Sequence, residues 1–166
     1  MSLFPDRLTA LSRRTLDACR GAHLRATAAE SCTGGLIAGL LTEISGSSDV
    51  VGRTFVTYSN EAKQEVLGVP ATLLAAHGAV SAETVAAMAE GALRACGDDA
   101  QLAVAVSGVA GPGGGSAEKP VGTVFIAIAG RGETVATRHH FDGDRCAVRL
   151  KTVEAALEKL LHRAAS

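Results

Sequence analysis

Four stretches of this 166-residue chain carry side chains with chemical potential. The first is "AAESCTGGLIAGLL", residues 28–41, where Glu30, Ser31, Cys32 and Thr33 precede Gly34, Gly35 and an apolar run. It reads as a strand-to-helix turn. The first N–H groups of a helix lack partners and carry partial positive charge. Such an end can be capped by Ser31 or Thr33, or it can bind an anion or a developing oxyanion. The stretch lacks a glycine two residues before Ser31, so it is not a G-x-S-x-G elbow. Cys32 is a rival nucleophile to Ser31, because a helix N-terminus favours the thiolate.

The second stretch is "YSNEAK", Tyr58 to Lys63. Lys63 falls in the first turn of a helix, where the dipole disfavours its charge. To act as a base it must be neutral. Lowering an amine from ~10.4 to ~7 costs ~4.6 kcal/mol, and a helix end supplies at most ~2 kcal/mol. Burial or a nearby cation must supply the rest, so a base role demands a partly dry cleft. Otherwise Lys63 is a surface lysine.

The third stretch, "SGVAGPGGGSAEKP", runs from Ser107 to Pro120. Five glycines and a proline fall between Gly108 and Gly115. It follows a buried strand and matches neither a Walker A loop nor G-x-G-x-x-G. Its two readings are a flexible loop and a backbone nest for phosphate or carboxylate. The fourth, "FDGDR", offers Asp142 or Asp144 as a helix cap and Arg145 as a fork for a carboxylate or an anionic ligand. His139 and His140 alternate along a strand and so face opposite ways, which argues against a joint metal site.

These patches need a scaffold. Helical spacing or capping signals mark residues 6–20, 33–44, 61–68, 70–78, 82–96 and 144–162. Strand signals mark 23–30, 50–59, 100–108, 121–130 and 133–141, the last two joined as a hairpin by "RG". Asn60 is placed as a helix cap, and Ser81 as another with Glu83 in its first turn. Helices between strands predict a single three-layer α/β/α domain over residues 1–166 with a mixed, mostly parallel sheet.

Composition sets the remaining bounds. Hydrophobic residues are 47% but aromatics only 3%, so the core must be built from small aliphatic side chains packed closely. A formal net charge of −1 argues against general nucleic-acid or membrane binding. No apolar run approaches the ~20 residues of a membrane span, and "MSLFPDRLTALSRR" lacks a signal-peptide pattern. The dispersed cysteines Cys19, Cys32, Cys96 and Cys146 read as reduced cytosolic thiols rather than a metal set.

Taken in order, "AESCTGG", "SGSS", "TYSNEAKQEVLGV", "GAVSAET", "SGVAGPGGG", "KPVGTV" and "FDGDR" resemble the CinA C-terminal-domain family, from about Arg7 to Leu161. Many relatives carry an additional molybdopterin-binding-like domain, so this chain resembles the stand-alone form. The resemblance implies a cytoplasmic, cofactor-free and metal-free amidohydrolase that turns nicotinamide mononucleotide into nicotinic acid mononucleotide and ammonia, in pyridine nucleotide recycling. It implies Ser31 as nucleophile over Cys32, Lys63 as base and Tyr58 as a third catalytic residue that relays or orients, with Thr33 left to cap the helix. It places the small-molecule substrate against Cys32, Thr33, Gly34, Gly35, Asn60, Ser107, Gly108, Ala110, Gly111, Gly113, Gly114 and Arg145, the phosphate lying on the glycine loop or on Arg145. It also implies a homodimer. The family has threonine where this chain has Ser107, which keeps the hydroxyl and loses a stiffening methyl. The competing expectation is a nucleotide-binding, competence-linked module without chemistry.

Overall fold

The computed structural model describes residues 2–166. Helix α1 (Asp6–Gly21) leads into strand β1 (Ala26–Glu30), helix α2 (Leu36–Thr42) and a short strand β2 (Phe55–Val56). Helices α3 (Asn60–Leu67), α4 (Ala71–His77) and α5 (Ala82–Cys96) follow. Strands β3 (Leu102–Gly108), β4 (Thr123–Gly130) and β5 (Glu133–His140) and the long helix α6 (Arg145–Ala165) complete the order.

The five strands form one sheet in the order β2-β1-β3-β4-β5. β1 pairs in parallel with both β2 and β3, while β4 pairs antiparallel with both β3 and β5. Four strands therefore point the same way and only β4 is reversed, so the expected mixed, mostly parallel sheet is present. The strand expected over residues 50–59 shrinks to Phe55–Val56. Val50 and Val51 instead close a turn by donating to Ser47 O, and both pack into the core beside α2. Their β-branched character served burial rather than a ladder.

Strand alternation sorts the sheet into two unlike faces. Leu102, Val104, Val106, Val124, Ile126 and Ile128 face α1, α2 and α6. Ala103, Ala105, Ala127 and Ala129 face the α5 layer with α3 and α4. The alanine face lets helices approach closely. At Gly91 in α5, an added Cβ would sit 2.0 Å from Leu67 O of α3, so only glycine fits this crossing.

Among the described residues, three helices are capped by the side chain of the residue just before them. Ser81 accepts from Thr84 N and Asp144 from Ala147 N. At α3 the cap is Ser59, which accepts from Ala62 N, and not Asn60, which is already the first helical residue. No helix among the described residues is long and apolar enough to cross a membrane.

The topology opens a crevice at one place. The chain leaving β1 enters α2 on the aliphatic face, whereas the chain leaving β2 enters α3 to α5 on the alanine face. Adjacent parallel strands whose connections diverge leave a gap beyond their carboxyl ends. Ser31 follows β1 and Tyr58 follows β2, so both lie at the rim of that gap.

Candidate active site

A cleft of ≈ 210 Å³ occupies this gap. Ser31, Cys32, Lys63, Ser107, Gly108 and Ala110 line it, with Ala79 and Val80 as an apolar wall and Tyr58 and Arg145 also on its lining. Thus three sequence stretches far apart in the chain, together with Arg145, meet around one small volume.

Lys63 is the central oddity. Its side chain is 1% exposed, although it projects from the first turn of α3. Nζ donates to Thr57 O at 2.8 Å and lies 3.1 Å from Ser31 Oγ. No carboxylate pairs with it among the described residues. Desolvation holds its pKa below the ordinary lysine value of 10.5. An ammonium has three protons and finds two acceptors here. A neutral amine donates one proton to Thr57 O and offers its lone pair to the Ser31 hydroxyl, which is the geometry a general base needs.

Ser31 sits in a tight turn at the end of β1. Its N–H donates to Val106 O, and its carbonyl accepts from Gly34 N at 3.0 Å. Helix α2 begins only at Leu36, so the turn spans Ser31 to Gly35. Thr33 does not cap it. Its hydroxyl donates to Glu30 Oε2 at 2.6 Å, and the carboxylate of Glu30 also accepts from Gly35 N, Ile37 N and Ala38 N. Glu30 is therefore the cap, reaching over from the strand end. A short hydroxyl at position 33 serves the carboxylate rather than the helix.

This accounting narrows the oxyanion donors. Gly34 N is committed to Ser31 O and Gly35 N to Glu30. The N–H groups of Cys32 and Thr33 donate to no protein atom among the described residues. They are the two uncommitted backbone donors that follow Ser31 in the chain, Cys32 on the cleft lining and Thr33 buried behind it. Cys32 itself is buried, and burial pushes its thiol up to about 11, so it stays protonated at neutral pH despite its place near a helix start.

The remaining expected residues fall into groups. Ser107 is 1% exposed and, like Gly108 and Ala110, belongs to the cleft lining. Gly111 reaches the site through its carbonyl, which accepts from Arg145 Nη1 at 2.8 Å. Arg145 Nη2 donates to the Tyr58 hydroxyl at 3.2 Å, and Tyr58 is 63% exposed. Arg145 and the glycine loop thus form one rim, not two alternative ones. Gly113 and Gly114 are exposed and lie outside the lining, as do Asn60, Thr33, Gly34 and Gly35. Gly35 carries the turn into α2 with φ +96°.

Two residues escaped the sequence reading. Glu30 closes a strand of five buried residues, ATAAE, and a buried carboxylate must find donors. That signal was present but was not used. Arg149 lies one turn beyond Arg145 on α6, on the same helix face. Its Nε donates to Cys32 O at 3.1 Å and its Nη2 to Thr33 O at 2.9 Å. His139 stacks on Phe141, whereas His140 meets Asp142, so the two histidines serve separate local contacts. The cysteines are free, three buried and Cys146 exposed.

Comparison with known proteins places the arrangement in a family. The model of the CinA C-terminal domain matches residues 8–164. The nicotinamide-nucleotide amidohydrolase PncC of Escherichia coli (strain K12) is 51% identical over 154 residues, covering 92% of this chain and 92% of that protein. The CinA-like protein of Geotalea daltonii is 58% identical over 132 residues, or 80% of this chain, but the match spans only 32% of that longer protein. Among solved structures, the competence/damage inducible protein CihA from Agrobacterium tumefaciens superposes with a TM-score of 0.92 at 51% identity, covering 98% of both chains.

Proposed function

This chain belongs to the CinA C-terminal domain family, and we propose that it hydrolyses the carboxamide of nicotinamide mononucleotide, with Ser31 as nucleophile and Lys63 as base. The observation that carries the reading is the 3.1 Å approach of Lys63 Nζ to Ser31 Oγ inside a cleft. The 51% identity to an enzyme named nicotinamide-nucleotide amidohydrolase supplies the substrate.

Serine is inert at its free pKa and needs a base within reach. Neutral Lys63 takes the Ser31 proton as Oγ attacks the carboxamide carbon. The oxyanion that forms is met by the N–H groups of Cys32 and Thr33. The C–N bond then breaks as the Lys63 ammonium gives its proton to the amide nitrogen, which leaves as ammonia. Water attacks the acyl-serine with Lys63 again as base, and the proton Lys63 takes is returned to Ser31 Oγ as nicotinic acid mononucleotide is released. The cleft of ≈ 210 Å³ suits the carboxamide end of the ligand, with Ala79 and Val80 against the ring. The ribose phosphate extends to the rim, where Arg145 is free of carboxylate partners among the described residues. Tyr58, bonded to Arg145, orients that guanidinium. We place the reaction in the cytoplasm and in a homodimer, both on the family resemblance.

The test is ammonia release from nicotinamide mononucleotide by the purified protein, with nicotinic acid mononucleotide as the matched product. Ser31→Ala is expected to abolish both. Saturable nucleotide binding with no turnover would instead make the chain a binding module.

A further inference from the structure

We propose that Arg149 is a positioning residue for amide hydrolysis, aiming the Cys32 and Thr33 N–H groups at the oxyanion; the inference rests on the functional reading above. The peptide planes of the Ser31–Gly35 turn set where its N–H groups point. In a trans peptide the C=O and the following N–H point in opposite directions. Whatever holds a carbonyl on one side therefore aims the next N–H to the other.

Each plane of the turn is held by a named group. Ser31 O is held by Gly34 N, which aims the Cys32 N–H. Cys32 O is held by Arg149 Nε at 3.1 Å, which aims the Thr33 N–H. Thr33 O is held by Arg149 Nη2 at 2.9 Å and by Leu36 N at 3.3 Å, which together aim the Gly34 N–H back to Ser31 O. Arg149 thus fixes the Thr33 donor directly and shares with Leu36 the hold on the Cys32 donor through the Gly34 link. Glu30 closes the far end by accepting from Gly35 N. The two N–H groups left over are the ones next to the nucleophile.

The side chain fits this role better than a surface contact would. Arg149 is half-buried and has no carboxylate partner among the described residues, and its Nε–Nη2 edge is spent on two backbone carbonyls. A planar fork can grip two successive carbonyls, whereas a lysine supplies a point charge on a flexible stem. A cation on the Cys32 carbonyl also polarises that peptide and strengthens its N–H as a donor. Gly34 suits the turn through its φ of +60°, and the guanidinium packs against it closely enough that a Cβ there would touch Arg149 Nη2 at 3.4 Å.

The decisive experiment compares nicotinamide mononucleotide with its thioamide analogue, thionicotinamide mononucleotide, by ammonia release. The C–N bond broken is the same in both, but sulfur accepts hydrogen bonds poorly. A working oxyanion site therefore favours the oxygen substrate. In Arg149→Met, kcat for the amide is expected to fall ~30-fold with KM within ~threefold, as for loss of an interaction made in the transition state. The amide-to-thioamide preference is expected to fall about tenfold, because a misaimed donor no longer distinguishes the two atoms. Should the methionine variant not fold, Arg149→Lys keeps the charge and stem and is read the same way. An unchanged substrate preference, or a lowered Tm with unchanged kcat, would overturn the role of Arg149 alone. Absence of ammonia from the unaltered protein would overturn the functional reading, and the inference with it.

Discussion

Glu30 and Lys63 are both ionisable side chains with almost no surface, at 0% and 1% exposure, and both lie close to Ser31. Their surroundings differ. Glu30 accepts four hydrogen bonds, one from a hydroxyl and three from backbone N–H groups at the start of α2. Lys63 has one carbonyl and one serine oxygen, and no counter-ion among the described residues. A buried charge whose bonding positions are filled fixes a structure. A buried amine left short of acceptors is pushed toward its neutral form and becomes available as a base. Ser31 sits between the two kinds, on a turn that one secures and beside an amine that the other keeps reactive.

The largest effect expected from breaking this pair is on rate. Lys63→Met keeps the volume and removes the amine, and steady-state ammonia release is expected to fall ~10³-fold in kcat, within the range for losing a general base. The same variant should melt at or above the temperature of the unaltered protein, because a buried ion without a partner costs stability. A full-rate Lys63→Met would remove the lysine from the mechanism. Glu30→Gln should behave in the opposite sense. It places an amide where two oxygens now accept from backbone N–H groups, at an expected ~3 kcal/mol, or ~10 °C in a thermal melt. Were Glu30→Gln thermally silent and Lys63→Met strongly destabilised, the division between structural and chemical charge would be reversed.

How far the sequence went follows from the same contrast. The three layers, the mixed sheet and most helices were legible, because long periodic segments report burial directly. Ser31, Lys63 and Arg145 stand out by residue type only as candidates, and the family resemblance assigns their roles and adds Ser107. What spacing alone does not give is that Ser31 and Lys63, 32 positions apart, come within 3.1 Å. That depends on β1 and β2 being neighbours with diverging connections. Glu30 has no assigned role in the sequence, because its backbone donors lie five to eight residues onward and only the fold brings them to it. Arg149 reads as one basic residue among several on α6. The second strand was overextended because Val50 and Val51 have the same residue type whether they pair or pack.

A smaller effect is expected in the pH dependence of stability. The folded-state pKa of Lys63 lies below its ordinary value of 10.5 through desolvation. Below the folded value both native and unfolded chains hold the proton, and the full cost of burying it is present. Between the two values only the unfolded chain binds the proton, so native stability rises with pH there. The Tm advantage of Lys63→Met should therefore be greatest on the acid side and narrow as pH climbs toward 10.5. Paired melts of the two proteins across that range read the difference. A constant gap would mean that Lys63 does not titrate differently on folding. The rate should follow the same proton, falling as pH drops through the folded pKa.

The smallest effect is expected at Cys32, the third buried ionisable group of this turn, and it decides whether the chemistry needs a thiol at all. Burial raises the Cys32 thiol to about 11, so at pH 7 only about one molecule in 10⁴ carries the thiolate that would attack. Serine beside a neutral amine has no such deficit, since its proton leaves during the attack rather than before it. Cys32→Ala is therefore expected to keep kcat within ~threefold, the residual change coming from a small cavity beside the turn. Iodoacetamide followed by mass spectrometry supplies an independent reading. Cys146, which is exposed, should alkylate first and leave activity intact, while Cys32 remains unmodified. Rapid alkylation of Cys32 with matching loss of activity, or a Cys32→Ala protein without turnover while Ser31→Ala still releases ammonia, would move the nucleophile one residue along. Lys63 would then be poised against a thiol rather than a hydroxyl.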